Sequence, residues 1–159
     1  MDPRDASELR RSIRRATSRD AAEIARLLSA LGHPTTSDSI ARRWDEWSAV
    51  GNVALVADAN GDANAPTLAG VATLHTMEVL HRPKPVGRIT ALIVDEAARG
   101  HGLGRALVAA AETLLAEQGC GLLEITSNFK LTEAHTFYGH LGYERTSYRF
   151  ARTLSPPTG

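Results

Sequence analysis

Apolar residues recur at three- and four-residue spacing in SRDAAEIARLLSALG (18–32), at Ala21, Ile24, Leu27, Leu28 and Leu31. That period predicts an amphipathic helix, with Gly32 placed to close it. Ile40, Trp44 and Trp47 mark one face of a second helix over 37–50. The pattern then changes. NVALVADA (52–59) and TLAGVATLHTM (67–77) are β-rich and flank a turn at Asn60-Gly61-Asp62, so they predict a hairpin. SIRRAT (12–17) reads as a short extended segment, and RPKP (82–85) breaks the chain. GRITALIVD (87–95) and GLLEITSN (121–128) read as strands around a helix from Gly104 to Gln118. LTEAHTFYGHLG (131–142) predicts a last helix ending at Gly142, and YERTSYRFARTL (143–154) one or two closing strands.

A three-strand meander is thus followed by strand, loop, helix and strand, a crossover that makes a parallel pair. The fold class is a mixed α/β sheet with helices on its faces. One domain is expected over 12–154, between tails at 1–11 and 155–159.

Composition removes several functions. The formal net charge is zero, so no global basic field draws the chain to nucleic acid or a membrane. The arginine clusters Arg10, Arg11, Arg14, Arg15 and Arg42, Arg43 read as solvated faces. No apolar run approaches the roughly 20 residues that span a bilayer. The start, MDPRDASELRRS, has no signal-peptide core. Cys120 is the only cysteine, which fits a reduced, cytoplasmic setting and a packing role.

Arg99-Gly100-His101-Gly102-Leu103-Gly104 stands between a predicted strand and a predicted helix. The dinucleotide spacing fails at Arg105 and Leu107, and the P-loop lacks its Gly-Lys-Ser/Thr. What remains is Arg-x-x-Gly-x-Gly, an anion site in physical terms. Glycine lets the backbone approach a ligand closely. The first N–H groups of the helix lack internal partners, and its dipole favours negative charge. Arg99 and Arg105 add formal charge, which suits a pyrophosphate.

LIVDEAARGHGLGRALV resembles the acetyl-CoA-binding segment of the GNAT superfamily of N-acetyltransferases, and Tyr138-x-x-x-Gly142-Tyr143 matches its ending. The C-terminal half is similar to the bacterial aminoalkylphosphonate N-acetyltransferases, through Asn128, Lys130, Ala134, His135, Phe137, Tyr138, Gly142, Tyr143, Glu144, Arg149 and Phe150. The resemblance implies a twisted, mostly antiparallel sheet with a splayed parallel pair. It implies acetyl-CoA as acyl donor, with its pantetheine arm along Leu92, Ile93 and Val94. The pyrophosphate would lie on Arg99, Gly100, His101, Gly102, Leu103, Gly104 and Arg105, with Asn128 and Tyr138 also reaching the ligand. It further implies a small-molecule amine as acceptor, and a homodimer.

The implied reaction is direct attack of an amine on the thioester. It needs a neutral amine, a stabilised oxyanion and a protonated leaving thiolate. Backbone N–H at Val94 or Ile93 can serve the oxyanion, and Tyr138 matches the family's acid. Many relatives carry glutamate where Thr90 stands. Threonine cannot be a base, but it can orient a water. Strand alternation puts Thr90, Leu92 and Val94 on one face. Glu78, His75 and His81 are the candidate bases, beside deprotonation through ordered water. The same three read as a pocket-edge trio rather than a metal site. Trp44 and Trp47, one turn apart, read as packing first and as cleft lining second. Two other functions stay open: a non-catalytic acyl-CoA-binding module, and acetylation of a protein N-terminus or lysine.

Overall fold

The computed structural model describes residues 12–59 and 67–155. The expected turn at 60–62, the tail 1–11 and residues 156–159 lie outside the described residues. The chain divides into two compact units, one running to Ile125 and the other starting at Thr126.

The first unit is built on a five-stranded sheet. Its strands are β1 (Ile13–Arg15), β2 (Val53–Asp58), β3 (Leu68–Met77), β4 (Val86–Val94) and β5 (Leu122–Ile125), in that spatial order. The first three pairings are antiparallel, and β4 with β5 is parallel. The helices are α1 (Ala21–Ala30), α2 (Ser37–Ala49) and α3 (Leu103–Glu117). Gly32, at φ +93°, ends α1 as the sequence predicts. The N–H of His33 closes back on the carbonyl of Leu28 at 3.0 Å.

The two faces of the sheet are covered differently. Ile24 and Leu27 of α1 bury against Val56, Val71 and Ile93, with Trp44 and Trp47 of α2 packed at the margin of that cluster. Leu103, Leu107 and Leu115 of α3 are buried too. They pack on the opposite face, where glycine admits the helix. A Cβ on Gly87 would sit 2.7 Å from a methyl of Leu115, and one on Gly70 3.0 Å from a methyl of Leu107.

Arg14 is not part of a solvated face. Its guanidinium reaches Asp20 and Asp58, each at 2.8 Å. Asp20 is 2% exposed. Burial pushes its carboxyl up, but Arg14 and the Thr17 N–H outweigh that and hold it below the usual range. The cross-strand contact of Arg14 with Asp58 joins β1 to β2.

The second unit contains α4 (Thr132–His140). Gly142, at φ +89°, lets the N–H of Tyr143 return to the carbonyl of Tyr138 at 3.0 Å. The closing strands expected over 143–154 do not form: these residues carry no strand. Tyr148 and Phe150 alternate as strand residues do, but both are exposed. A strand needs a ladder partner as well as a pattern.

Candidate functional site

The glycine-rich loop is shaped by its own backbone. Gly100 and Gly102 take φ +80° and +81°, a region that side chains with a Cβ avoid. Gly102 is the N-cap of α3 and provides no side-chain cap. The first helical bond runs from the N–H of Ala106 to the carbonyl of Gly102 at 3.0 Å. The N–H groups of Leu103, Gly104 and Arg105 therefore have no partner within the helix. His101 and Arg105 are exposed beside them. Arg99 folds back, donating from Nε to the carbonyl of Val94 at 3.2 Å, so its terminal nitrogens stay available to an anion.

Register decides which strand groups face a ligand. The N–H of Asp95 donates to the carbonyl of Ala69 at 2.8 Å. Val94 pairs with Gly70, and Ile93 with Val71. Antiparallel pairs alternate between bonded and non-bonded. Ala69 with Asp95 is a bonded pair, so Val71 with Ile93 is one too. The N–H of Ile93 is therefore used by β3 and is not free for an oxyanion. The groups of Leu92 and Val94 point the other way. On that side β5 has already left, since its pairing stops at Ile89 with Ile125. The N–H of Val94 therefore lies beyond the end of the β4–β5 ladder.

The departure of β5 coincides with a bulge. Thr73 pairs with Ala91, but Leu74 pairs with Ile89, leaving Thr90 as the extra residue. The Thr90 hydroxyl lies 2.7 Å from that of Thr73 and 3.1 Å from the Thr73 carbonyl. Thr73 shares its face with its partner Ala91 and with Val71 and Ile93. Thr90 thus stands on that face and not with Leu92 and Val94, as simple alternation predicts. The bulge adds one residue and resets the alternation.

His75 is two residues beyond Thr73 on the same face. Its Nδ1 is 2.7 Å from Oδ1 of Asn52, whose Nδ2 donates to the carbonyl of Trp47 at 2.7 Å. Arg88 is the cross-strand partner of His75, and its Nε donates to Glu124 of β5 at 2.7 Å. Glu78 and His81 are exposed and lie beyond the end of β3. Among the described residues no group of three or more His, Cys, Asp or Glu is placed to hold a metal ion. A cavity of about 250 Å³ lies at this end of β2, lined by Arg15, Trp44, Trp47, Asn52 and Gln118. Both tryptophans therefore serve the core and line a cavity.

The loop is tied to α1 by residues that no motif or spacing singles out. Arg26 bonds Asp95 and Glu23, and also the carbonyl of Leu68 at 2.9 Å. Glu23 in turn accepts from the N–H of Leu68 at 3.0 Å. Asp95 caps the short turn Glu96–Ala98 by accepting from the N–H of Ala97. Arg26 holds the carboxyls of both Glu23 and Asp95 below their usual range. This set fixes where β4 ends and the loop begins.

Within the second unit, Tyr138 packs edge-on with Phe137 and Tyr143, with ring centroids 5.3 and 6.2 Å away. Burial pushes its phenol up from the ordinary value. Asn128 turns its Oδ1 onto the N–H of Lys130 at 3.0 Å, making a local turn.

The chain matches the family described as "Acetyltransferase (GNAT) family" over residues 21–143. It is 35% identical over 85 residues to the aminoalkylphosphonate N-acetyltransferase of Salmonella typhimurium, a stretch covering 54% of this chain and 55% of that relative. A solved structure from Arthrobacter sp. FB24 is 32% identical with a TM-score of 0.72, covering 89% of this chain and 95% of that one. An acetyltransferase of Trypanosoma brucei gives 25% identity and a TM-score of 0.76, with 89% and 98% covered.

Proposed function

The chain belongs to the acetyltransferase (GNAT) family, and from that premise we propose that it transfers the acetyl group of acetyl-CoA to a primary amine of a small molecule. Attack is direct, with donor and acceptor bound together. The observation that carries the reading is two sets of N–H groups without a partner in their own ladder or helix: Val94 beyond the end of the β4–β5 ladder, and Leu103, Gly104 and Arg105 at the start of α3.

These residues suit the donor. The helix N-terminus, its dipole and the side chains of Arg99 and Arg105 meet a pyrophosphate. Positive φ at Gly100 and Gly102 brings the backbone close. Leu92 offers its backbone groups and Val94 its N–H to an extended amide-bearing arm, the Val94 carbonyl being held by Arg99. Acetyl-CoA supplies the activated thioester. The Val94 N–H holds the carbonyl oxygen as charge develops on it. Tyr138 gives its proton to the leaving sulfur, a role that rests on the family motif and suits a phenol kept protonated by burial.

The test is thiol release from acetyl-CoA with a panel of small primary amines. Aminoalkylphosphonates belong in the panel because the Salmonella relative is named for them. Acetyl-CoA-dependent product with at least one small amine is expected. Tight acetyl-CoA binding with no product from any amine, peptide N-termini included, would instead mark a non-catalytic acyl-CoA module. No binding of acetyl-CoA would remove the reading altogether.

A further inference from the structure

We propose that the cavity beside Trp44 and Trp47 binds a small carboxylate with a flat apolar body, at a site separate from the one read above for acetyl-CoA. The cavity lies where Asn52 and Val53 lead from α2 into β2. Val53 pairs with Leu74, and Leu74 with Ile89. Ile89 is near the start of β4, whereas the glycine loop follows its end.

Size and shape limit the ligand first. A volume of about 250 Å³ is the room of roughly eight water molecules at about 30 Å³ each, enough for one ring with a short acidic arm. The rings of Trp44 and Trp47 have centroids 5.5 Å apart and planes tilted by 45°. They form a wedge against which a flat ring can pack offset or edge-on. Both pack on the core cluster, which holds the wedge in place.

The polar groups of the wall then set the sign of the ligand. The acceptors are largely engaged. The Trp47 carbonyl accepts from Nδ2 of Asn52, and Oδ1 of Asn52 meets His75, each at 2.7 Å. The Ser48 carbonyl accepts from the N–H of Gly51 at 3.2 Å. These last carbonyls of α2 would otherwise favour a cation. The Ala54 carbonyl accepts from the N–H of Ala16 at 2.8 Å. Oε1 of Gln118 accepts from the Thr76 hydroxyl at 2.8 Å.

The donors are not engaged. With its oxygen on Thr76, the Gln118 amide keeps both hydrogens of Nε2. Among the described residues these hydrogens have no partner, and neither do the indole N–H groups or the guanidinium of Arg15. Among the described residues Arg15 is also the one charged group on the wall, and no carboxylate lines it. A carboxylate accepts on both oxygens and matches the fork of an arginine. An amine would meet a like charge and little but the Ser48 hydroxyl oxygen to accept from it.

The two tryptophans of the chain both line the cavity, so fluorescence reports its occupancy. The full chain is titrated with phenylacetate, phenylacetamide, phenethylamine and inorganic phosphate. Phenylacetate should give a saturable change, the neutral amide one at least tenfold weaker, and the amine and phosphate none. Arg15→Gln should weaken phenylacetate about tenfold or more, the scale of one charge-assisted hydrogen bond. Gln118→Leu, at an exposed helix end, should weaken it several-fold and gives a second variant should the first melt early. Arg43→Gln, on α2 but outside the cavity, should bind phenylacetate as the unaltered protein does. Backbone amide shifts should fall on Gly51 through Ala54 and persist at saturating acetyl-CoA. The absence of a saturable response to phenylacetate overturns the proposal. So does equal binding of phenethylamine, full affinity in both folded variants, or competition by acetyl-CoA. If acetyl-CoA fails to bind while phenylacetate binds, the acetyl-transfer reading falls and this site stands.

Discussion

The N–H of Asp95 donates to the carbonyl of Ala69 at 2.8 Å, and that bond sets the polarity of the strand leading to it. It aims the backbone of Ile93 at β3 and that of Leu92 and Val94 away from it, on the side where the β4–β5 ladder has ended. The side chain of Asp95 secures the same point through Arg26 and the Ala97 N–H. Asp95→Ala removes both, and the lost cap costs about 1 kcal/mol. Thermal melts should show that loss, and calorimetry a several-fold weaker acetyl-CoA complex. Asp95→Asn keeps the cap but not the charge, so it should retain most of the stability.

Tyr138→Phe keeps the ring packing against Phe137 and Tyr143 and removes only the hydroxyl. Turnover should fall roughly 10²-fold, the scale of a lost general acid. Acetyl-CoA affinity should barely change. Equal losses in both would argue for a binding role and against an acid. Because burial raises the phenol, no falling limb from Tyr138 is expected below the ordinary tyrosine range.

Gly87→Ala tests how α3 lies on the sheet. The new methyl meets the Leu115 side chain at 2.7 Å, too close without movement. Overpacking of this kind costs about 1–3 kcal/mol. Denaturant unfolding should show that cost. Combining it with Leu115→Ala should be less destabilising than the two single changes added together.

Acid should act first through carboxylates held by arginine. Asp20, Glu23 and Asp95 all lie below their ordinary values. A carboxyl depressed in the folded state contributes stability that is complete above its unfolded value and lost as pH falls through the folded one. Stability should thus be flat above about pH 5 and fall below about pH 4. Asp20→Asn should flatten that fall, at the cost of leaving Arg14 with only Asp58. Arg14→Leu should destabilise more, by about 3 kcal/mol at neutral pH, because it leaves Asp20 buried without its cation.

The helices and first five strands were legible because each has its own period or stop signal. Gly32 and Gly142 marked helix ends that the backbone adopts. The glycine loop was legible because its residue types have one shared physical use. The polarity of Leu92, Ile93 and Val94 was not, since it depends on pairing with β3. The bulge at Thr90 was hidden for the same reason: an extra residue is visible only against a partner strand. Asn52, Arg88 and Glu124 are single polar residues in or beside apolar strand runs and gain meaning only from the row they form with His75. Arg14 reads as surface charge in the sequence because its cross-strand partner Asp58 is distant in sequence. Residues 143–154 carried a strand pattern without a partner to realise it.

The central claim is that acetyl-CoA lies along β4 and on the start of α3. Backbone amide spectra of the labelled protein, recorded with and without saturating acetyl-CoA, test it most directly. The largest shifts should fall on Leu92, Val94, and Arg99 through Arg105, with Ile93 changing less because its N–H stays bonded to β3. Shifts confined instead to the cavity around Arg15, Trp47 and Asn52, or no shifts at the start of α3, would contradict the account.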